Sequence, residues 1–338
     1  MKKVAIVGNG NWGTCILKLV ANNIQNYCVF DHEVLLWVYE EIYQNQKLSE
    51  YINAFKSNPI YLPGVKLPNN IKAVTELDEI EQCDIVIICL PHQFIKGTLS
   101  GLKMKKGAYA INLSKGMIIE DGKLYLPSEY ISKVLKIECC CLMGANIAKD
   151  VAKEEICDCT IGYANKAQYD ELEMLFDNDY FRPKIIPYNK GMEICGGLKN
   201  IISIGFGIVE GIEYGSNTKA MVFRQGLIEM ERFCSLIGAK FMMLESCCVG
   251  DLFTSCMSGR NVQCGILMSK DRCKYQDVER TMRGQKLQGP ETSKVIHEWL
   301  VANNHDTSKF PVMEAIYRIC HDGEDGFYLV SILKKCKS

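Results

Sequence analysis

Lys199 is where the chemistry of this chain would begin. From Ile194 to Val209 the sequence carries one charged side chain, and it is this lysine. Burying an ammonium is costly unless it is paired, hydrogen-bonded or deprotonated. Burial also depresses a lysine pKa from its ordinary value of about 10.4, sometimes by several units. A lysine so placed either snorkels to solvent or serves as a tuned proton donor. Six glycines, at 191, 196, 197, 205, 207 and 211, share the stretch. Each costs a helix roughly 1 kcal/mol against alanine. The pattern predicts a helix over 190–211 with something packed very close to its backbone.

A proton donor needs a partner set. Reducing a ketone takes a hydride donor, an acid for the developing alkoxide and a grip on the substrate. A second cation near Lys199, with Lys115 the candidate, would lower its pKa and polarise a carbonyl. Gly259-Arg260-Asn261, a small residue, an arginine and an amide ahead of a helix, suits a phosphate or a carboxylate; an ordinary salt bridge for Arg260 is the alternative. Asn200 is placed to add a further donor. Gln285 to Pro290 is a polar loop that either closes over a cofactor or forms a plain surface turn.

These residues need elements to hold them. Residues 3–8 form a short apolar run, followed by Gly8-Asn9-Gly10-Asn11-Trp12-Gly13 and a helical pattern from Thr14 to Ile24. This is Gly-x-Gly-x-x-Gly with a strand before and a helix after, the context in which it binds a dinucleotide. The first glycine permits the turn, and the second admits a pyrophosphate. The third brings helix and strand together, with the helix N-terminus facing the anion. A second strand, Val34 to Tyr39, precedes Glu40-Glu41. An acidic residue at this strand end commonly takes the adenosine ribose hydroxyls, and no arginine stands there to accept a 2′-phosphate, which favours NAD over NADP. Tyr39 either packs on the adenine face or belongs to the core.

Residues 42–70 read as a polar helix and a loop. Asp84 to Leu90, Ala108 to Leu113 and Cys139 to Met143 are apolar runs of parallel-strand type. They end in Pro91-His92-Gln93-Phe94, Ser114-Lys115-Gly116 and Gly144-Ala145-Asn146. Ligands of open parallel sheets bind at the carboxyl ends of strands, so His92, Gln93, Lys115 and Asn146 are candidates by position. Singly, each is a common turn or cap residue. Further strands are expected at Cys159–Tyr163 and Lys184–Pro187, with a helix at 167–176. After Tyr188 the pattern becomes helical, with helices expected over 190–211, 217–237, 245–257, 262–268, 275–283, 290–302 and 310–321. The reading is an α/β N-terminal Rossmann-type domain with a mostly parallel sheet (residues 1–189), followed by an all-α C-terminal domain (190–338).

Composition agrees with an ordinary globular chain. Of 338 residues, 48% are hydrophobic and 23% charged, enough to bury two cores. A formal net charge of -1 gives no global attraction to nucleic acid or acidic membranes. The longest apolar run contains Lys199, Asn200 and five glycines, which argues against a membrane span. The opening Met-Lys-Lys-Val-Ala-Ile-Val-Gly is expected to enter a strand at once, without a leader, and the closing Lys-Lys-Cys-Lys-Ser is no peroxisomal signal. The 18 cysteines are expected as small buried hydrophobes in a reducing compartment, and their spacing supports no metal site.

Several stretches then stand in one order: Gly8 to Gly13, Trp37-Val38-Tyr39-Glu40, Leu62-Pro63-Gly64, Pro91 to Phe94, Leu142 to Ala148, Glu193 to Asn200, Asn217 to Ala220, Ser258 to Asn261, and Gly284-Gln285-Lys286-Leu287-Gln288-Gly289-Pro290-Glu291-Thr292. From about residue 3 to about residue 330 the chain resembles NAD-dependent glycerol-3-phosphate dehydrogenase of the eukaryotic cytosolic type. The resemblance implies reversible reduction of dihydroxyacetone phosphate by NADH to sn-glycerol 3-phosphate, in the cytoplasm, by a homodimer. It gives Lys199 the proton transfer, with Lys115, Asp251 and Asn146 beside it. Lys115, Asn200, Ser255, Arg260 and Asn261 fall at substrate positions. Gly8, Asn9, Gly10, Asn11, Trp12, Gly13, Tyr39, Phe94, Ala148, Arg260, Lys286 and Gln288 fall at cofactor positions. The sequence departs from the family's common pattern at Tyr39 for phenylalanine, Ser255 for threonine, Asn9 for serine and Ser114 for an apolar residue, none a reacting group. Two other readings stay open: a Rossmann-plus-helical dehydrogenase of the 3-hydroxy-acid type, and a non-catalytic NAD-binding protein.

Overall fold

In a computed structural model that describes residues 1–282 and 286–336, the chain divides into two compact units. Gly284 and Gln285 lie outside the described residues. The first unit comprises residues 1–114 and 127–188, and the second residues 115–126 and 189–338. The expected division at 189/190 therefore omits one crossing: residues 115–126 leave the first stretch of sequence and fold with the second unit. They form a hairpin of β8 (Ile118–Glu120) and β9 (Lys123–Tyr125), whose flanking Met117 and Leu126 are buried in the second core. Among its described residues, the second unit is thus helical apart from this hairpin and its loops.

The first unit is built on one sheet of eight strands: β1 (Lys2–Val7), β2 (Phe30–Trp37), β5 (Ile71–Val74), β6 (Ile85–Ile88), β7 (Tyr109–Asn112), β10 (Glu138–Met143), β11 (Cys157–Tyr163) and β12 (Phe181–Pro187). Their order is β12-β11-β10-β7-β6-β1-β2-β5. Every neighbouring pair is parallel except β10–β11. Counting outward from β1, this is the doubly wound order in which ligands sit at the carboxyl ends of the central strands. Strands β1 and β6 are apolar and buried on both faces, as a covered parallel sheet requires. Helices α1 (Asn11–Asn23), α2 (Leu48–Phe55), α3 (His92–Leu99), α4 (Pro127–Leu135), α5 (Ala148–Ala152) and α6 (Tyr169–Phe176) complete the unit. The helix expected from residue 42 begins only at Leu48. Ahead of it lies a tight hairpin of β3 (Ile42–Tyr43) and β4 (Gln46–Lys47), closed by Gln44 and Asn45, both at positive φ.

In the second unit α7 (Lys190–Gly211) is the axis, and nearly all of it is buried. It is long and apolar enough to span a membrane, but that apolar surface lies inside the fold, as in the core helix of a soluble domain. Around it stand α8 (Ser216–Leu236), α9 (Asp251–Met257), α10 (Arg260–Asp271), α11 (Tyr275–Arg280), α12 (Gln288–Ala302), α13 (Pro311–His321) and α14 (Gly326–Leu333). The glycines of α7 make room for these helices and their loops. A Cβ on Gly207 would run into the carbonyl of Val262, and one on Gly211 would meet Ile266 O at 2.6 Å. From the other side, a Cβ on Gly265 would strike the carbonyl of Ile204. Helices α7 and α10 therefore cross backbone to backbone. All 18 cysteines are free thiols, most of them buried, and burial raises the pKa at Cys15 and Cys256, both pushed up to about 12.

Candidate functional site

Lys199 lies midway along α7 and is only 7% exposed. Its Nζ donates to Asp251 Oδ1 at 2.5 Å and to Ser255 Oγ at 2.6 Å. The second carboxylate oxygen, Asp251 Oδ2, accepts from Lys115 Nζ at 2.5 Å. Asp251 is 2% exposed, so one buried anion bridges two ammoniums. Local geometry explains the placement. A π-helical turn, Ser246–Gly250, leads directly into Asp251 at the start of α9, and π-turns recur where a helix must aim a functional residue. Ser255 follows four residues later on the same helical face, so both reach the same amine. Lys115 arrives from the segment that enters this unit out of sequence.

Burial pulls the Lys199 pKa down from 10.5 to about 8; Asp251 opposes this, and the Lys115 charge adds to it. The amine is thus mostly protonated near neutrality, yet gives up its proton far more readily than an exposed lysine. Two cations against one anion leave the cluster a formal charge of +1, which suits a developing oxyanion or an anionic ligand.

Beside the cluster, the three neighbouring helices share one amide relay. Gly289 N donates to Asn261 Oδ1 at 3.1 Å, and Asn261 Nδ2 donates to Asn200 Oδ1 at 3.0 Å. Asn200 Nδ2 reaches back to Gly196 O at 3.4 Å. Asn261, expected at a ligand, therefore spends its oxygen and one amide hydrogen tying α10 to α7 and α12. Arg260 opens α10 as an exposed side chain, after Gly259 at φ +119°. Among the described residues, no side chain caps that helix N-terminus.

Lys286 is exposed and donates to Glu279 Oε2 at 2.8 Å, while Leu287 N donates to Glu279 Oε1 at 2.9 Å. Glu279, which nothing in the sequence singles out, is thus the clamp on that loop. At the first residue of α12, Gln288 has a buried Oε1 without a partner among the described residues.

The other candidates belong to the first unit. The loop Gly8–Gly13 joins β1 to α1, with Gly8 at φ +113°. A Cβ on Gly13 would collide with the carbonyl of Gly8, and none of the described atoms lies within 4 Å of a Cβ built on Gly10. The third glycine is therefore the helix–strand contact and the second faces open space, as a pyrophosphate cradle requires. The N-terminus of α1 has no side-chain cap, which leaves its dipole available to an anion. Asn9 Oδ1 accepts from Tyr39 N at 3.1 Å, tying this loop to the end of β2, and Asn9 Nδ2 has no partner among the described residues. Tyr39 and Phe94 are 70% and 50% exposed, which large aromatics rarely are without a partner to cover them. On these observations the residues fit a dinucleotide.

Some expected contacts resolve differently. Trp12 and Ala148 pack against the sheet core, Trp12 with its ring 6.4 Å from that of Phe181. His92 is buried and Gln93 exposed on α3. Asn146 donates through Nδ2 to Asp158 O at 2.9 Å, and its Oδ1 is buried without a partner among the described residues. The acidic pair after β2 is engaged by protein groups: Glu40 accepts from Ser49 N at 3.1 Å and Ser49 Oγ at 2.5 Å, and Glu41 accepts from Tyr61 OH at 2.7 Å. Asn58, fully buried, donates to Asn9 O and Thr14 Oγ1, both at 2.9 Å, and so holds the glycine loop from beneath. Its only sequence signal is an asparagine before a proline.

Residues 3–169 match the family model of the NAD-dependent glycerol-3-phosphate dehydrogenase N-terminus, and residues 189–329 match that of the C-terminus. The chain is 40% identical over 331 residues to cytoplasmic glycerol-3-phosphate dehydrogenase [NAD(+)] of Rattus norvegicus, covering 96% of this chain and 95% of the relative. Among solved structures, glycerol-3-phosphate dehydrogenase of Plasmodium falciparum aligns with a TM-score of 0.93 at 34% identity, over 100% of this chain and 96% of that one. The Saccharomyces cerevisiae enzyme aligns with a TM-score of 0.88 at 35% identity, over 98% and 99% of the two chains.

Proposed function

The chain belongs to the NAD-dependent glycerol-3-phosphate dehydrogenases, and from that premise we propose that Lys199 is the proton donor in reduction of dihydroxyacetone phosphate to sn-glycerol 3-phosphate, and the acceptor in the reverse reaction. The protein is an oxidoreductase with NAD as cofactor. When bound, NADH supplies the hydride; the residues placed to hold it are the backbone of Gly8 to Gly13 with Tyr39 and Phe94.

The observation that carries the reading is the pairing of a buried lysine with a buried, doubly engaged aspartate. Lys199 transfers a proton from Nζ to the ketone oxygen, and its pKa of about 8 makes that transfer cheap near neutral pH. Asp251 orients the amine and steadies the charge it carries before transfer. Lys115, on the other carboxylate oxygen, polarises the same carbonyl. Ser255 Oγ fixes the direction of the amine. Arg260, exposed at an uncapped helix N-terminus, takes the substrate phosphate. Asn200 and Asn261 act by holding that helix end in register.

Lys199→Ala tests the assignment. NADH consumption with dihydroxyacetone phosphate falls by orders of magnitude, while NADH binding, followed by fluorescence, persists. Near-normal turnover would remove Lys199 from the reaction. Assaying unphosphorylated dihydroxyacetone in parallel separates this reading from a hydroxy-acid dehydrogenase on the same architecture. Cytoplasmic residence and a homodimer follow the same premise, the former because the relatives are cytoplasmic enzymes by name. Sedimentation at assay concentration checks the dimer.

A further inference from the structure

In the first unit a recess of about 450 Å³ opens at the N-terminal edge of the central strands. Lys2 of β1, Tyr109 of β7 and Glu138 of β10 begin their strands there, and the turn 104–108, Lys136 and residues of the 165–171 segment complete the wall. Gly8 to Gly13 lie beyond the other end of β1, about 20 Å away at the usual rise per residue. The recess is therefore separate from the dinucleotide cradle.

Its charges do not balance. Lys2, Lys105, Lys106 and Lys136 line it against Glu138 and Glu171. Glu171 is paired with a cation, whereas Glu138 holds a neutral amide and keeps its charge. Glu171 accepts from Lys2 Nζ and, at 3.1 Å, from Tyr109 OH; Glu138 accepts from Gln168 Nε2 at 2.9 Å. Lys105 pairs with Asp84 at 2.7 Å. Lys106 and Lys136 are exposed and have no carboxylate partner among the described residues. Lys136 closes α4 at φ +57°, where the negative end of the helix dipole also favours a cation. Gln168, buried on the floor, is fixed by donation from Ala164 N and Asn165 N to its Oε1. A concave site with ordered polar groups at its base and two ammoniums on its rim, set against the single Glu138 carboxylate, keeps an excess positive charge that recognises negative charge.

We propose that this recess binds a small polyvalent anion of the phosphate-ester or polycarboxylate class, independently of substrate and cofactor. Titration calorimetry at constant ionic strength, on the full chain saturated with NADH, tests it with inorganic phosphate, glucose 6-phosphate and citrate as probes. The ranking of the three separates the two sources of negative charge. One class of binding survives Arg260→Ala and is weakened at least about tenfold, roughly 1.4 kcal/mol, by Lys106→Gln with Lys136→Asn, asparagine being tolerated at positive φ. Lys106→Gln alone shows part of the loss should the double variant misfold. Unchanged affinity in the lysine variants overturns the proposal. So does finding no binding class beyond the one that Arg260→Ala removes.

Discussion

Replacing Asp251 by asparagine removes the only carboxylate paired with Lys199 among the described residues while keeping the shape of the side chain. Two ammoniums then share the neighbourhood without their anion. Opposite charges about 4 Å apart at an effective dielectric near 20 interact by about 4 kcal/mol, and each pH unit of displacement corresponds to about 1.4 kcal/mol. The amide dipole and entering water return part of that. The Lys199 midpoint, about 8 in the intact protein, should therefore fall by roughly two pH units. Reduction needs the protonated amine, so its rate is lost as pH rises through that midpoint. At about pH 7.5 the protonated fraction drops from roughly three-quarters to a few per cent, and turnover drops about twentyfold or more. The reverse reaction needs the neutral amine and shifts to lower pH in the same way. The assay is the pH profile of kcat in both directions, with NADH binding as the control for folding. An Asp251→Asn enzyme whose alkaline limb stays near pH 8 would refute the argument, whatever its absolute rate.

Arg260→Ala should raise KM for dihydroxyacetone phosphate by about ten- to a hundredfold, the worth of a charged hydrogen bond, with a smaller change for unphosphorylated dihydroxyacetone. Asn261→Ala breaks the relay from Gly289 to Asn200 and leaves buried amide groups unpaired; unfolding by urea should show a loss of about 1–3 kcal/mol. Glu229, buried beneath α13 and accepting from Val312 N and Met313 N, is raised by burial from 4.5 to about 7. A carboxyl with a raised folded pKa binds more protons folded than unfolded, so its contribution weakens as pH rises from about 4.5 to 7. The stability difference between the protein and Glu229→Gln, measured by denaturant at several pH values, should follow that slope.

The parts legible in the sequence are those where one residue type is physically required. The glycine loop after β1 is one, because only glycine admits both the turn and the close approach at Gly13. The limits of α7 are another, since its apolar run marks the helix; Asn189, whose side chain accepts from Gly191 N, caps its start. The glycines of α7 predicted a close neighbour, and α10 is that neighbour within the second unit. What escaped was local and short. The β3–β4 hairpin reads as helix because its turn is Gln44-Asn45 rather than an asparagine–glycine pair, although both residues take the positive φ that such turns require. The β8–β9 hairpin is too short for an alternating pattern, so its departure from the surrounding unit leaves no periodic trace. Helix α14 lies beyond the last expected helix, though Asp325 caps it by accepting from Phe327 N and Tyr328 N. Partners such as Asn58 and Glu279 act on backbone groups far away in sequence, and no spacing rule reveals them.

The buried thiols have a practical consequence. A thiol reacts with an alkylating reagent as its thiolate, and burial suppresses that form at Cys15, Cys89, Cys140, Cys256 and Cys320. Cys28 is the one exposed thiol, and Cys89, Cys157, Cys273 and Cys336 are partly exposed. Brief treatment with iodoacetamide should therefore label Cys28 first, the partly exposed Cys157, Cys273 and Cys336 more slowly, and many more once the chain opens. With free thiols in both units, peptide mass mapping reads each core separately, so the protein carries its own clock of local and global opening without a single engineered residue.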